Sequence, residues 1–151
     1  MSHVNQIGYL LMHVSSQIAK QSDQVLQEQL GIGMSQFKIL RMLQGEPRTT
    51  QREIANHLGQ TEASISRQVK LMLDAGLLHS LRHPEDHREH LTVVTPKGER
   101  LAEAALAALE RYHHPSIAAL TEKQQTELIA ELEVLHDQLC HGIHADPAVY
   151  K

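Results

Sequence analysis

The sequence predicts a mainly α chain with one small β-hairpin. Three observations carry this reading. Apolar residues recur at steps of three and four through most of the 151 residues. Only two stretches, 77–82 and 90–95, read as strands, rich in Leu, Thr and Val. Capping residues and closing glycines cut the helical part into six segments.

The first helix is expected over residues 4–30. Ile7, Leu10, Leu11, Val14 and Ile18 make one stripe, Val25 and Leu26 extend it, and Gly31 and Gly33 provide the stop. Ser35 is expected to cap a second helix reaching Leu43, with Phe37, Leu40 and Leu43 inward and Gly45-Glu46-Pro47 at its end. Thr50-Gln51-Arg52-Glu53 has the form of a capping box, in which hydroxyl and carboxylate satisfy free first-turn amides reciprocally. The helix it opens is short and stops at Gly59. Thr61 caps the next, which runs to Ala75 and closes at Gly76. Ile65, Val69, Met72 and Leu73 face its core side.

Strands 77–82 and 90–95 flank a polar tip, His83 to Glu89, too long for a tight hairpin. Thr95 caps the fifth helix with Pro96 in its first position, and Pro115 is expected to break it. Thr121 to Gln124 repeats the capping-box form. Leu128, Leu132, Leu135 and Leu139 then alternate steps of four and three, which suits a helix seam. Gly142 is expected to end that helix, before a loose tail.

Two helices joined by a tight glycine turn, followed by a hairpin, form a winged helix-turn-helix, a module that reads duplex DNA. The expected division is an N-terminal dimerisation helix over 1–34, the module over 35–97, and C-terminal dimerisation helices over 98–151. Charge agrees with this order. The formal net charge is −4, but residues 30–100 carry ten Lys and Arg against eight Asp and Glu, and the remainder carries four against ten. One Cys excludes an internal disulfide framework and fits a reducing compartment. With no leader pattern and no bilayer-length apolar run, the chain reads as cytoplasmic and without a membrane partner. No nucleophile–base set or phosphate-cradling glycine loop points to an enzyme, and no cofactor is implied.

The segment from Asp86 to Gly98 resembles the MarR family of bacterial transcription regulators. The family pattern is Asp, one residue, Arg, then a strand ending in Thr with Gly three residues later. Asp86, Arg88, Thr95 and Gly98 match it. Leu58-Gly59, the run from Ser64 to Arg67, and Gly76-Leu77 match further upstream. The resemblance implies a homodimer whose outer helices intertwine, leaving two modules to read a pseudo-palindromic double-stranded DNA operator. It implies a recognition helix in the major groove and Arg88 in the adjacent minor groove, steadied by Asp86. Most members repress, and many release DNA on binding a small aromatic acid, phenol or drug.

The DNA-contact set on this reading is Thr50, Gln51, Thr61, Ala63, Ser64, Ser66, Arg67, Gln68, Lys70, Arg82, His83, Asp86 and Arg88. Small residues permit close approach to a groove, and Arg67 and Lys70 reach bases or phosphates. An aromatic carboxylate or phenol effector would lie where the first, second and fifth helices meet the module, near Tyr9, Met12, His13, Gln17, Arg41 and Met42. Each of these residues is also ordinary packing material.

The twelve histidines favour alternatives. His83, His87 and His90 on the wing suggest a proton-sensitive regulator, in which phosphate favours the charged rings and affinity falls as pH rises. His136, Cys140 and His144, four residues apart, suggest a zinc or soft-metal site if the last helix continues past Gly142. Cys140 as a redox switch has weaker support. A helical protein-interaction module without specific DNA binding is the remaining alternative.

Overall fold

A computed structural model describes residues 2–139. Six helices and three short strands follow in the order α1 (His3–Leu30), α2 (Met34–Gly45), β1 (Thr49–Thr50), α3 (Gln51–Leu58), α4 (Glu62–Asp74), β2 (Leu78–Arg82), β3 (His90–Val94), α5 (Pro96–Ile117) and α6 (Glu122–Asp137). No helix among the described residues is long and apolar enough to cross a membrane.

The local capping signals decide most of these boundaries. Thr50 Oγ1 accepts from the Glu53 N–H, and the Glu53 carboxylate accepts from the Thr50 N–H. Thr121 and Gln124 repeat the arrangement at α6. Thr61 Oγ1 accepts from the Ser64 N–H at α4. Gly31 and Gly59 close α1 and α3 with φ of 68° and 61°, a left-handed conformation that disfavours a Cβ.

Three features differ from the expected pattern. α2 begins one residue before Ser35, and its first N–H, that of Met34, donates to Asp23 Oδ1 on α1 at 2.7 Å. The cap therefore comes from another helix, and the Ser35 hydroxyl instead meets Gln60 Oε1 at 3.2 Å. Pro115 lies within α5, which ends two residues later at Ile117. A proline so near the end removes only one late hydrogen bond. Thirdly, Thr49 and Thr50 form a strand that pairs antiparallel with Thr92 and Leu91. The hairpin thus becomes a three-stranded sheet of order β1-β3-β2, and Thr92 and Thr49 are buried on it.

By compactness the chain divides within α5, between Glu110 and Arg111. In the first unit Leu26, Ile32, Ile39, Leu40, Leu43, Ile54, Ile65, Val69 and Met72 form one core with Leu77, Leu78, Ala102 and Ala105. That core joins the C-terminal end of α1 to α2, α3, α4, the sheet and the start of α5. Each buried Leu or Ile removed from water contributes roughly 1.5–3 kcal/mol. The rest of α1 takes no part. Its buried residues are Ser22, Val25 and Leu26, whereas Ile7, Leu10, Val14 and Ile18 are exposed.

The second unit holds the last turns of α5 and α6. Its connection is fixed by Gln125 Nε2, which donates to the Leu120 carbonyl at 2.9 Å and the Ile117 carbonyl at 3.3 Å. α6 has no buried residue; Leu128, Leu132 and Leu135 lie exposed along it, and Leu139 is exposed just beyond its end.

Candidate nucleic-acid interface

The helix-turn-helix is α3, a turn at Gly59-Gln60, and α4. Ile65, Val69 and Met72 seat α4 in the core at steps of four and three. This register fixes what the helix offers to solvent. Ala63, Ser66, Arg67 and Lys70 are exposed on the opposite side. Among the described residues neither Arg67 nor Lys70 is in an ion pair, so their charges stay available to an outside anion. Arg52 differs: its guanidinium is 3.3 Å from Glu62 across the mouth of the α3–α4 corner.

Ser64 and Gln68 lie on the flank and are half-buried. The Ser64 hydroxyl approaches Gln60 Oε1 at 3.5 Å, the same oxygen that Ser35 reaches. Gln60 therefore ties α2 to the start of α4, a role with no sequence signal because its partners are 25 and 4 residues away. Leu71, 56% exposed beside Lys70, is a second residue that the sequence reading missed. Thr50, Gln51 and Thr61 stand at the first turns of α3 and α4, where free N–H groups suit phosphate.

The Glu53 carboxyl is held below its ordinary pKa. The Thr50 backbone N–H is the largest cause, the Thr50 hydroxyl adds to it, and the His83 imidazole contributes through space.

β2 and β3 carry the wing. Leu78 pairs with Val94 and Arg82 with His90, so the strands stay in register to the tip. The base is locked to α5. Thr95 Oγ1 donates to the Gly76 carbonyl at 2.7 Å and accepts from the Gly98 N–H at 3.1 Å. Lys97 Nζ donates to the Ala75 carbonyl at 2.7 Å, closing the end of α4. A Cβ on Gly98 would collide with the Leu77 carbonyl oxygen, so glycine permits this close approach.

At the tip, Asp86 Oδ1 accepts from the Arg88 backbone N–H at 3.0 Å. Asp86 thus holds the main chain of Arg88. The guanidinium is exposed and, among the described residues, bonded to no side chain. Arg82 is exposed as well. The three wing histidines have different roles. His83 Nδ1 accepts from the Glu85 and Asp86 N–H groups, both at 3.2 Å. His90 Nδ1 meets the Ser80 hydroxyl at 3.2 Å, and His87 is exposed.

The six effector candidates have different surroundings. Tyr9, Met12, His13 and Gln17 are exposed on α1, where Tyr9 and His13 stack at 5.8 Å. Arg41 donates to Gln44 Oε1 at 2.7 Å and lies 3.7 Å from Glu103. Met42 is buried beneath a different feature, an open cleft of about 580 Å³ bordered by Arg48, Glu53 and His57. Of the suggested metal ligands, His136 lies 3.7 Å from Asp137, while Cys140 and His144 fall outside the described residues. No cluster of three or more potential ligands occurs among the described residues.

A core-seated helix with an exposed small-and-basic face, beside a hairpin with an arginine at its tip, defines a winged helix-turn-helix DNA-binding protein. The MarR family model matches residues 30–89. The HTH-type transcriptional repressor Rv2887 of Mycobacterium tuberculosis is 29% identical over 129 residues, covering 85% of this chain and 92% of its own. Its crystal structure aligns with a TM-score of 0.67. A MarR family protein from Bacillus stearothermophilus shares the fold at a TM-score of 0.80 and 20% identity, covering 93% of this chain and 99% of its own. Wild-type MarR from E. coli does so at 0.77 and 22%, covering 85% and 95%. Over residues 30–89 the chain thus matches the MarR family, and over most of its length it is similar to transcriptional regulators of that family.

Proposed function

We propose that the protein is a dimeric repressor that holds a pseudo-palindromic operator and releases it when a small aromatic acid or phenol binds. The observation that carries the DNA-reading part is the pairing of two unneutralised basic surfaces, Arg67 and Lys70 on α4 and Arg82 and Arg88 on the wing. α4 enters the major groove with Ala63 and Ser66 permitting close approach. Arg88 enters the minor groove, its main chain held by Asp86. Thr50, Gln51 and Thr61 take phosphates, and Ser64, Gln68 and His83 support the reading elements from within the module.

Dimerisation is supported by apolar surface with no cover in a single chain. The stripe from Ile7 to Ile18 on α1 and the stripe from Leu128 to Leu135 on α6 are both exposed. Contiguous apolar surface of this kind marks an interface in a soluble protein. The role-based division into 1–34, 35–97 and 98–151 follows from that reading. Two modules related by a two-fold would meet half-sites about one helical turn apart. Effector release is supported by the stacked Tyr9 and His13 rings on the same helix as the dimer stripe, which offer an aromatic surface for an aromatic acid.

The test is selection of duplexes from a random-sequence pool by the full-length protein, followed by footprinting of the recovered sequence. The expected result is one inverted repeat, protected on both half-sites, with affinity falling steeply as salt rises. Recovery of no common sequence would overturn the reading.

A further inference from the structure

We propose that His83, in its neutral form, is the positioning residue for Arg88, so that acidification disorganises the wing and weakens DNA binding. The proposal rests on the DNA-reading function above. β2 ends at Arg82 and β3 begins at His90, leaving seven residues to make the tip. The His83 N–H donates to the Glu89 carbonyl at 3.0 Å and closes the hairpin. The same residue's ring then turns back over the loop. Its Nδ1 accepts from the N–H groups of Glu85 and Asp86. Asp86 passes the constraint on: its carboxylate accepts from the Arg88 N–H and its carbonyl from the Glu89 N–H, each at 3.0 Å. One imidazole nitrogen therefore holds Glu85 and Asp86, and Asp86 in turn holds the main chain of the arginine.

Nδ1 can accept only while it carries no proton, which places the ring proton on Nε2. An imidazolium has no acceptor. Protonation would turn an N–H toward two backbone N–H groups, and the ring must leave. Charged groups surround it. Glu53 on α3 interacts with it through space. Glu85, Asp86, Glu89, His87 and Arg88 share its loop, Arg82 and His90 flank it, and the Arg52–Glu62 ion pair borders Glu89 and His90. The carboxylates attract a charged ring, but none replaces the acceptor that Glu85 and Asp86 lose.

This reverses the sense expected from the sequence. A charged histidine facing phosphate strengthens binding as pH falls; a histidine needed as an acceptor weakens it. His83, as an acceptor of two backbone amides, has the second behaviour. The two are separable by substitution, because Asn offers a side-chain oxygen to the amides two and three residues on and does not titrate.

The experiment measures affinity of the full-length protein for a duplex it selects from a random pool at pH 8. Ionic strength is fixed and pH is lowered to 5.5, across the range in which imidazoles titrate. Wild-type affinity is expected to fall at least about threefold. His83→Asn should lose that fall, whatever its affinity at pH 8, and His83→Leu should bind more weakly than His83→Asn at pH 8. Identical pH profiles for wild type and His83→Asn would overturn the proposal. A second measurement needs no DNA. Nitrogen-15 spectra of the imidazole should show the Nε2–H form at pH 8, with the Glu85 and Asp86 amides titrating together with His83. A proton on Nδ1 would overturn the proposal even if the duplex binds well. If no duplex is selected, the regulator reading fails while the spectra still decide the role of His83.

Discussion

Gly98→Ala is a small substitution at a position where the fold leaves no room. The new Cβ would sit 2.8 Å from Val94 Cγ2 and would overlap the Leu77 carbonyl oxygen. Val94 can rotate slightly, but the carbonyl cannot withdraw, because it accepts the Thr95 N–H at 3.0 Å. The start of α5 must therefore move away from β2. Overpacking of this kind costs about 1–3 kcal/mol. The same movement stretches the bonds from Thr95 Oγ1 to Gly76 and from Lys97 Nζ to Ala75, each worth about 0.5–1.5 kcal/mol. With partial relaxation the expected loss is about 3 kcal/mol. Urea denaturation followed by circular dichroism reads it as a lower midpoint with an unchanged slope, at a fixed protein concentration. Gly45→Ala is the control, since its Cβ meets nothing within 4 Å at the end of α2; it should be neutral or slightly stabilising. A Gly98→Ala midpoint equal to that of wild type would refute the close-packing argument.

Other outcomes follow from the capping box and the exposed stripes. The depressed Glu53 pKa contributes stability that is fully present above the unfolded carboxyl value and is lost as pH falls through the folded value. Glu53→Gln should therefore flatten the acid limb of the stability–pH curve, and an unchanged limb in urea titrations at stepped pH would contradict the assignment. Leu132→Glu places a charge within the α6 stripe and should shift the protein toward monomer in light scattering after size exclusion, with its helical content retained. Dimer persisting at micromolar concentration would count against α6 as an interface. Removing the Arg67 charge with Arg67→Ala should reduce the salt slope of duplex binding by about one unit; an unchanged slope would take Arg67 off the phosphate or base surface.

The parts legible in the sequence were those with short-range causes. Thr50 with Glu53, Thr61, and Thr121 with Gln124 announce their helices because a cap and its partners lie within three residues. The steps of four and three at Ile65, Val69 and Met72 announce the buried face of α4, and with it the exposed basic face. What was not legible depends on distant partners or on loop shape. The cap of α2 comes from Asp23, eleven residues away. β1 is two residues long and has no period to detect. Arg41 looked free for an anionic effector, yet Gln44 and Glu103 engage it, the latter from α5. His83 is visible in the sequence as a titratable ring in the tip, but only the path of the loop shows its ring nitrogen receiving two backbone amides.

The central claim is that Arg88 is presented by the wing to DNA. Its guanidinium is exposed and contributes nothing to the core, so Arg88→Ala should leave urea stability unchanged. Affinity for the selected duplex, measured by fluorescence anisotropy at fixed salt and pH 8, should weaken by about 1–3 kcal/mol, roughly five- to 150-fold. Binding equal to wild type, with the fold intact, would contradict the account.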